Sequence, residues 1–167
     1  DEPRMGQMLK ERVKQHLEAN PDVVLKFGLM MGGQTFTTTH VRVQTINDLA
    51  KEMPDRVQVL VEDYGEWTTE KATQLMEDWS IRYPDMNALA FSSDEMALGA
   101  VNVLRARGNL ASFYIVSVNG SDNGLQMVRD GDIDATVGID FAEYGRGMID
   151  AALASIRGEL EMGATCD

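Results

Sequence analysis

Two adjacent acids, Asp94 and Glu95, follow an apolar run and two serines in the stretch FSSDEMALGAVNVLRARG, residues 91–108. Paired carboxylates can work as a general acid and base, or hold a divalent cation, when both side chains converge on one point. Immediate neighbours on a helix diverge, so this pair does not meet that condition. Helix initiation accounts for both acids. Ser92 followed by Glu95 has the spacing of a capping box, and Asp94 falls in the first turn, where the helix dipole favours a negative charge by about 0.5 kcal/mol. The other chemistry-bearing residues are sparse. His16 and His40 are the only histidines, and Cys166 is the only cysteine. A disulfide framework and a Cys-based zinc site are therefore excluded. The chain shows no nucleophile paired with a base, no GK[ST] phosphate loop and no metal-ligand spacing, so neither a cofactor nor enzymatic activity is expected.

The elements that must position these residues follow from periodicity. Apolar spacing predicts helices over Met5–Ala19, His40–Met53, Thr69–Tyr83 (with Thr69 as N-cap), Asp94–Arg107, Asn123–Arg129 and Phe141–Arg157. Between them lie short β-rich runs: VVLKFGL from Val23, RVQVLVE from Arg56, NALAF from Asn87, FYIVSV from Phe113 and DATVG from Asp134. Gly108 is placed to end its helix as a C-terminal glycine. One helix followed by five strand–helix units implies an α/β three-layer sandwich, with a five-stranded, mostly parallel sheet and helices on both faces.

In such a sheet, ligands sit outside the carboxyl ends of the strands. Those ends carry Met30 to His40, then Asp63, Tyr64 and Trp67, then Ser92 and Ser93, then Asn119, Gly120 and Ser121, and finally Gly138, Ile139 and Asp140. Hydroxyls, amides, one histidine and two aromatics suit hydrogen bonding and stacking with a small polar molecule. His16, on the first helix, belongs to the opposite end. A phosphoryl-accepting receiver needs an acidic pair after the first strand; Met30 and Met31 stand there instead.

The stretches SSDEMALGAVNVLRARG, IVSVNGSDNGLQMVRDGDIDATVG and YGRGMIDAALASIRGE, in that order, resemble the carboxyl-terminal lobe of periplasmic sugar-binding proteins of the ribose-binding type. The resemblance extends to the opening GQMLKERV helix and the EWTTEKATQLMEDW helix. It implies a two-lobed protein with a ligand trapped between the lobes, of which this chain is one lobe. It also implies residues 1–140 as the ligand-binding lobe, and residues 141–167 as a crossover helix and tail that pack on the amino-terminal lobe. Carried over position by position, the family's ligand contacts fall on His40, Trp67, Ser93, Asn119 and Ile139, with Asp140 beside the last. Several depart from the sugar pattern: His40 stands for an arginine, Ser93 for an asparagine, Asn119 for an aspartate and Ile139 for a glutamine. The function so implied is the solute-binding component of an ABC-type sugar transport system in the periplasm, with a membrane permease or sensor as partner. The same lobe occurs as the inducer-binding domain of lac-repressor-type regulators, and a ligand-sensing protein acting with a membrane receptor is a further alternative.

Bulk properties bound these readings. The chain has 167 residues, enough for one domain, and 44% hydrophobic content supports a core. No run approaches the ~20 apolar residues of a membrane helix. The net charge of −12 argues against a nucleic-acid surface. The final helix repeats Phe141, Tyr144 or Gly145, Met148, Ile149, Ala152 and Ile156 at helical spacing, giving an apolar face. Left uncovered on an isolated lobe, that face predicts a homodimer through the helix from Phe141.

Overall fold

The computed structural model describes residues 2–35, 37–138 and 140–159, with the side chains of residues 37–40, 141 and 144 outside the description. In chain order the elements are α1 (Glu2–Ala19), β1 (Leu25–Met31), α2 (Thr37–Glu52), β2 (Val57–Tyr64), α3 (Thr69–Arg82) and β3 (Ala88–Phe91), then α4 (Asp94–Arg107), β4 (Tyr114–Asn119), α5 (Asp122–Asp130), β5 (Ala135–Gly138) and α6 (Phe141–Ile156). A single 3-10 turn, Leu110–Ser112, precedes β4. The strands form one sheet in the order β2-β1-β3-β4-β5, and every described pairing is parallel. The expected α/β sandwich is therefore present, with a sheet that is wholly rather than mostly parallel.

Alternation along each strand builds two apolar layers. Phe27, Leu29, Ala88, Ala90, Tyr114, Val116, Val118 and Val137 point to the face covered by α1 and α2. Met30, Leu89, Phe91 and Ile115 point to the face covered by α3 and α4, where Trp79 and Met76 fill the layer. Two strand positions on this second face are polar, Ser117 and Thr136, and both meet a carboxylate from α4, as described below. β1 runs on through Met30 and Met31, which pair with Asp63 and Tyr64 of β2, so the first strand ends two residues later than predicted.

Both expected N-caps shift by one residue. Thr68, in extended conformation, caps α3 by accepting from Lys71 N, where Thr69 was expected. Ser93 caps α4 by accepting from Met96 N at 3.4 Å, where Ser92 was expected. The cap residue must leave the helix with extended dihedrals while its oxygen reaches the third residue on, and Ser93 (φ −151°, ψ 154°) meets both conditions. Gly108 ends α4 in the left-handed conformation (φ 72°), as predicted.

The final helix is different in kind. Asp140 caps it, its Oδ1 accepting from Glu143 N at 2.9 Å. Among the described residues, α6 has no helix or strand packed along it as the other helices do. Met148, Ile149, Leu153 and Ile156 are exposed, Ile156 to 82%. Of the predicted apolar face, Met148, Ile149, Ala152 and Ile156 are uncovered, while the side chains of Phe141 and Tyr144 lie outside the described residues.

Candidate functional site

Strand order reverses between β1 and β3: the chain leaves β1 for α2 on one face of the sheet and leaves β3 for α4 on the other. The crevice at such a switch point is where open α/β sheets hold ligands. Three side chains converge there. Arg42, in the first part of α2, is only 8% exposed. Its guanidinium donates from Nη1 to the Ser92 carbonyl at 2.7 Å and to Asn119 Oδ1 at 2.9 Å. From Nε and Nη2 it donates to the two carboxylate oxygens of Glu2, at 2.7 and 3.0 Å. One planar fork thus ties α1, α2, the end of β3 and the end of β4 together.

Trp67 lies against this cation, with Arg42 Cζ 5.6 Å from its ring centroid, a cation–π contact worth about 0.5–1 kcal/mol. Its backbone is unusual: Glu66 (φ 50°) and Trp67 (φ 61°) are both left-handed, a conformation that side-chain-bearing residues adopt at a cost of order 1 kcal/mol each. The excursion lays the indole on the backbone of Gly32. A Cβ at position 32 would stand 2.0 Å from Trp67 Cε2, so only glycine admits the ring.

Asn119, the last residue of β4, also has positive φ (130°). Its amide is oriented from both sides: Oδ1 accepts from Arg42, and Nδ2 lies 3.5 Å from Glu95 Oε2. Behind it the next residues are pinned to a buried carboxylate. Asp94, 0% exposed, accepts from Ser117 Oγ at 2.5 Å, Thr136 Oγ1 at 2.7 Å, Ser121 N at 2.8 Å and Ser121 Oγ at 3.0 Å. Thr136 Oγ1 in turn accepts from Gly120 N at 3.1 Å, and Ser121 Oγ from Gly124 N at 3.1 Å, capping α5. Reading Asp94 as a helix-dipole residue alone is thus corrected. The acid is the acceptor that joins β4, β5 and the amino ends of α4 and α5.

Of the six residues singled out in the sequence, the structure brings Trp67 and Asn119 together. Ser93 is 2% exposed and its hydroxyl is engaged in capping α4. Asp140 is exposed at the end of β5 and caps α6. The His40 side chain and Ile139 lie outside the described residues. Two further residues that the sequence reading did not single out as ligand contacts, Arg42 and Glu95, touch Asn119 in the crevice. The signal for Arg42 was its place on the buried stripe of α2, one turn before Ile46 and two before Leu49, where a charge demands a partner.

The opposite end of the sheet carries different chemistry. His16 packs on Tyr114 with ring centroids 4.0 Å apart, and burial pulls its pKa below the usual imidazole value. Burial likewise raises the Tyr114 phenol above its ordinary range. Two open hollows of about 320 and 330 Å3 lie there; neither is lined by Arg42, Trp67 or Asn119. No cluster of three metal-ligating side chains occurs among the described residues, and no helix of theirs is long and apolar enough to cross a membrane.

Known proteins share this architecture. The chain is 29% identical over 133 residues to a putative rhizopine-binding protein of Rhizobium meliloti, covering 78% of this chain and 43% of that protein. It is 26% identical over 136 residues to the D-ribose/D-allose-binding protein of Pseudomonas aeruginosa, covering 81% of this chain and 41% of that one. The crystal structure of an ABC transporter solute-binding protein from Burkholderia multivorans, holding an unknown ligand interpreted as α-D-erythrofuranose, superposes with a TM-score of 0.83 at 25% identity. That comparison covers 95% of this chain and 54% of the other. The chain therefore spans less than half the length of the two curated relatives. A family profile described as "Periplasmic binding protein domain" matches residues 1–160, and the chain belongs to that family.

Proposed function

We propose that this chain is one lobe of the solute-binding component of an ABC-type sugar importer, working outside the cytoplasmic membrane and delivering a small polar, sugar-like ligand to a permease. One observation carries this reading. A half-buried indole and an amide of fixed orientation meet at the switch point of a parallel sheet, over an arginine that holds both in place. An aromatic face takes the C–H face of a polyol, and an oriented amide discriminates its hydroxyls. We read the chemistry of these residues, an aromatic face and an oriented amide, as recognition without turnover. The relatives named above, with their ribose, allose and transporter descriptions, support the same class.

The exposed face of α6 fits this reading. On this reading α6 is the crossover element that another lobe covers in the intact protein and a second copy covers in the isolated chain; of the expected tail, residues 160–167 lie outside the described residues. The match to less than half of each curated relative supports the first part of that statement.

Half of a cleft lacks the opposing contacts and the exclusion of water, so the isolated chain is expected to bind ribose, allose or xylitol no more tightly than roughly micromolar. Calorimetry and tryptophan fluorescence against these ligands test the reading. Weak binding abolished by Trp67→Ala supports it. Submicromolar binding indifferent to Trp67→Ala would sink it.

A further inference from the structure

Resting on the reading of this surface as a sugar-type site, we propose that it selects its ligand by charge. It takes a sugar or polyol bearing a protonated amine in preference to the neutral counterpart, it disfavours sugar acids, and Glu95 receives the ammonium.

A guanidinium in a binding crevice ordinarily suggests an anionic ligand, gripped bidentately. Arg42 cannot serve that way. Its donors are spent on Glu2, the Ser92 carbonyl and Asn119, which leaves one N–H of the fork uncommitted. Its charge is balanced at 2.7 Å by the Glu2 carboxylate. What it presents to the crevice is a neutral pair that orients an amide.

Glu95 is in the reverse condition. It stands in the first turn of α4, half-buried, and enters none of the ion pairs among the described residues. Among the described residues its carboxylate makes one long contact, 3.5 Å from Asn119 Nδ2, which leaves most of its acceptor capacity open beside the recognition amide. The surroundings share its sign. Glu66, Asp122 and Asp140 are exposed at the same ends of the strands, against Arg4 in the first turn of α1 and Lys71 in the first turn of α3. A partly desolvated carboxylate attracts an ammonium more strongly than a fully exposed one does, and it repels a second carboxylate by the same physics. The amide at position 119 is neutral and adds no opposing charge: its oxygen accepts from Arg42 and one of its two N–H groups points toward Glu95, which leaves the second for a ligand hydroxyl.

The test uses the 167-residue chain in low salt and three ligands that differ at one substituent: D-glucosamine, D-glucose and D-glucuronate. Shifts of the Trp67 indole and Asn119 side-chain amide signals in nitrogen-15 spectra report occupancy. D-Glucosamine is expected to bind about three- to tenfold more tightly than D-glucose, as a partly exposed ion pair gives, with D-glucuronate weakest. Glu95→Gln brings glucosamine to within about twofold of glucose, and raising the salt shrinks the preference in the parent chain. Equal binding of the three ligands, or a preference that survives Glu95→Gln, overturns the charge selection while leaving the sugar site standing. Failure of all three to move either reporter, in a chain whose spectrum is folded, overturns the sugar site and the inference with it.

Discussion

Replacing Asp94 separates two accounts of the same residue. If the acid only sits in the first turn of α4, Asp94→Asn costs a few tenths of a kcal/mol through the dipole. The structure sets a larger figure. Asp94 is fully buried and accepts four hydrogen bonds, two of them from Ser121. The Ser121 N–H can only donate, so the carboxamide oxygen must stay on that side and the new NH2 must face Ser117 and Thr136. Those hydroxyls can rotate to accept, but Thr136 Oγ1 already accepts from Gly120 N. Charge-assisted bonds become neutral ones, a loss of about 1 kcal/mol each at the two Ser121 contacts, partly offset by no longer burying a charge. The expected net cost is about 1–2 kcal/mol. Asp94→Ala leaves all four donors without their acceptor and opens a small void, for about 3–5 kcal/mol. Urea unfolding followed by the fluorescence of buried Trp79 reads both variants. With m about 2 kcal/mol/M, the asparagine variant shifts the midpoint by roughly 0.5–1 M. An Asp94→Asn midpoint indistinguishable from the parent, with Asp94→Ala costing under about 1 kcal/mol, would refute the network argument.

Other outcomes follow from the same geometry. Gly32→Ala should unseat the Trp67 indole, seen as a change in its fluorescence and a loss of sugar binding that exceeds any loss of stability. Ser93→Ala should lower stability by about 1 kcal/mol in urea titrations, the ordinary value of an N-cap. His16, with its folded pKa below the unfolded value, binds fewer protons in the native state. Stability therefore holds above about pH 6.5 and falls as the pH drops through the folded value, and His16→Gln should flatten that fall in urea midpoints measured between pH 7.5 and 5.5. Sedimentation of the isolated chain should show a dimer that becomes monomeric when Met148, Ile149, Leu153 and Ile156 are replaced by polar residues; a monomer in both cases contradicts the account of α6.

The elements and their order were legible because apolar spacing at periods of 2 and 3.6 records which face of each element is buried. The strand-end location of the candidate site follows from the parallel topology, and Trp67 and Asn119, singled out on that ground, both contact Arg42 there. The contacts of Arg42 and Asp94 were not legible, for a common reason: they are made with partners distant in sequence. Arg42 reaches Glu2, Ser92 and Asn119, and Asp94 reaches Ser117 and Thr136 across 23 and 42 residues. Local spacing carries no record of such closures. The polar residues Ser117 and Thr136 on an otherwise apolar sheet face were the trace left in the sequence. The capping shifts at Thr68 and Ser93 have a different origin, since adjacent hydroxyl residues offer two candidate caps and only the backbone dihedrals choose between them.

The central claim is that the carboxyl ends of the strands form a sugar-binding surface. Nitrogen-15 spectra of the chain titrated with D-ribose test it most directly. The account predicts shifts confined to Trp67, Asn119, Gly120 and the first turn of α4. Shifts centred instead on His16, Asn87 and Phe113 at the amino ends, where the two hollows lie, would contradict it.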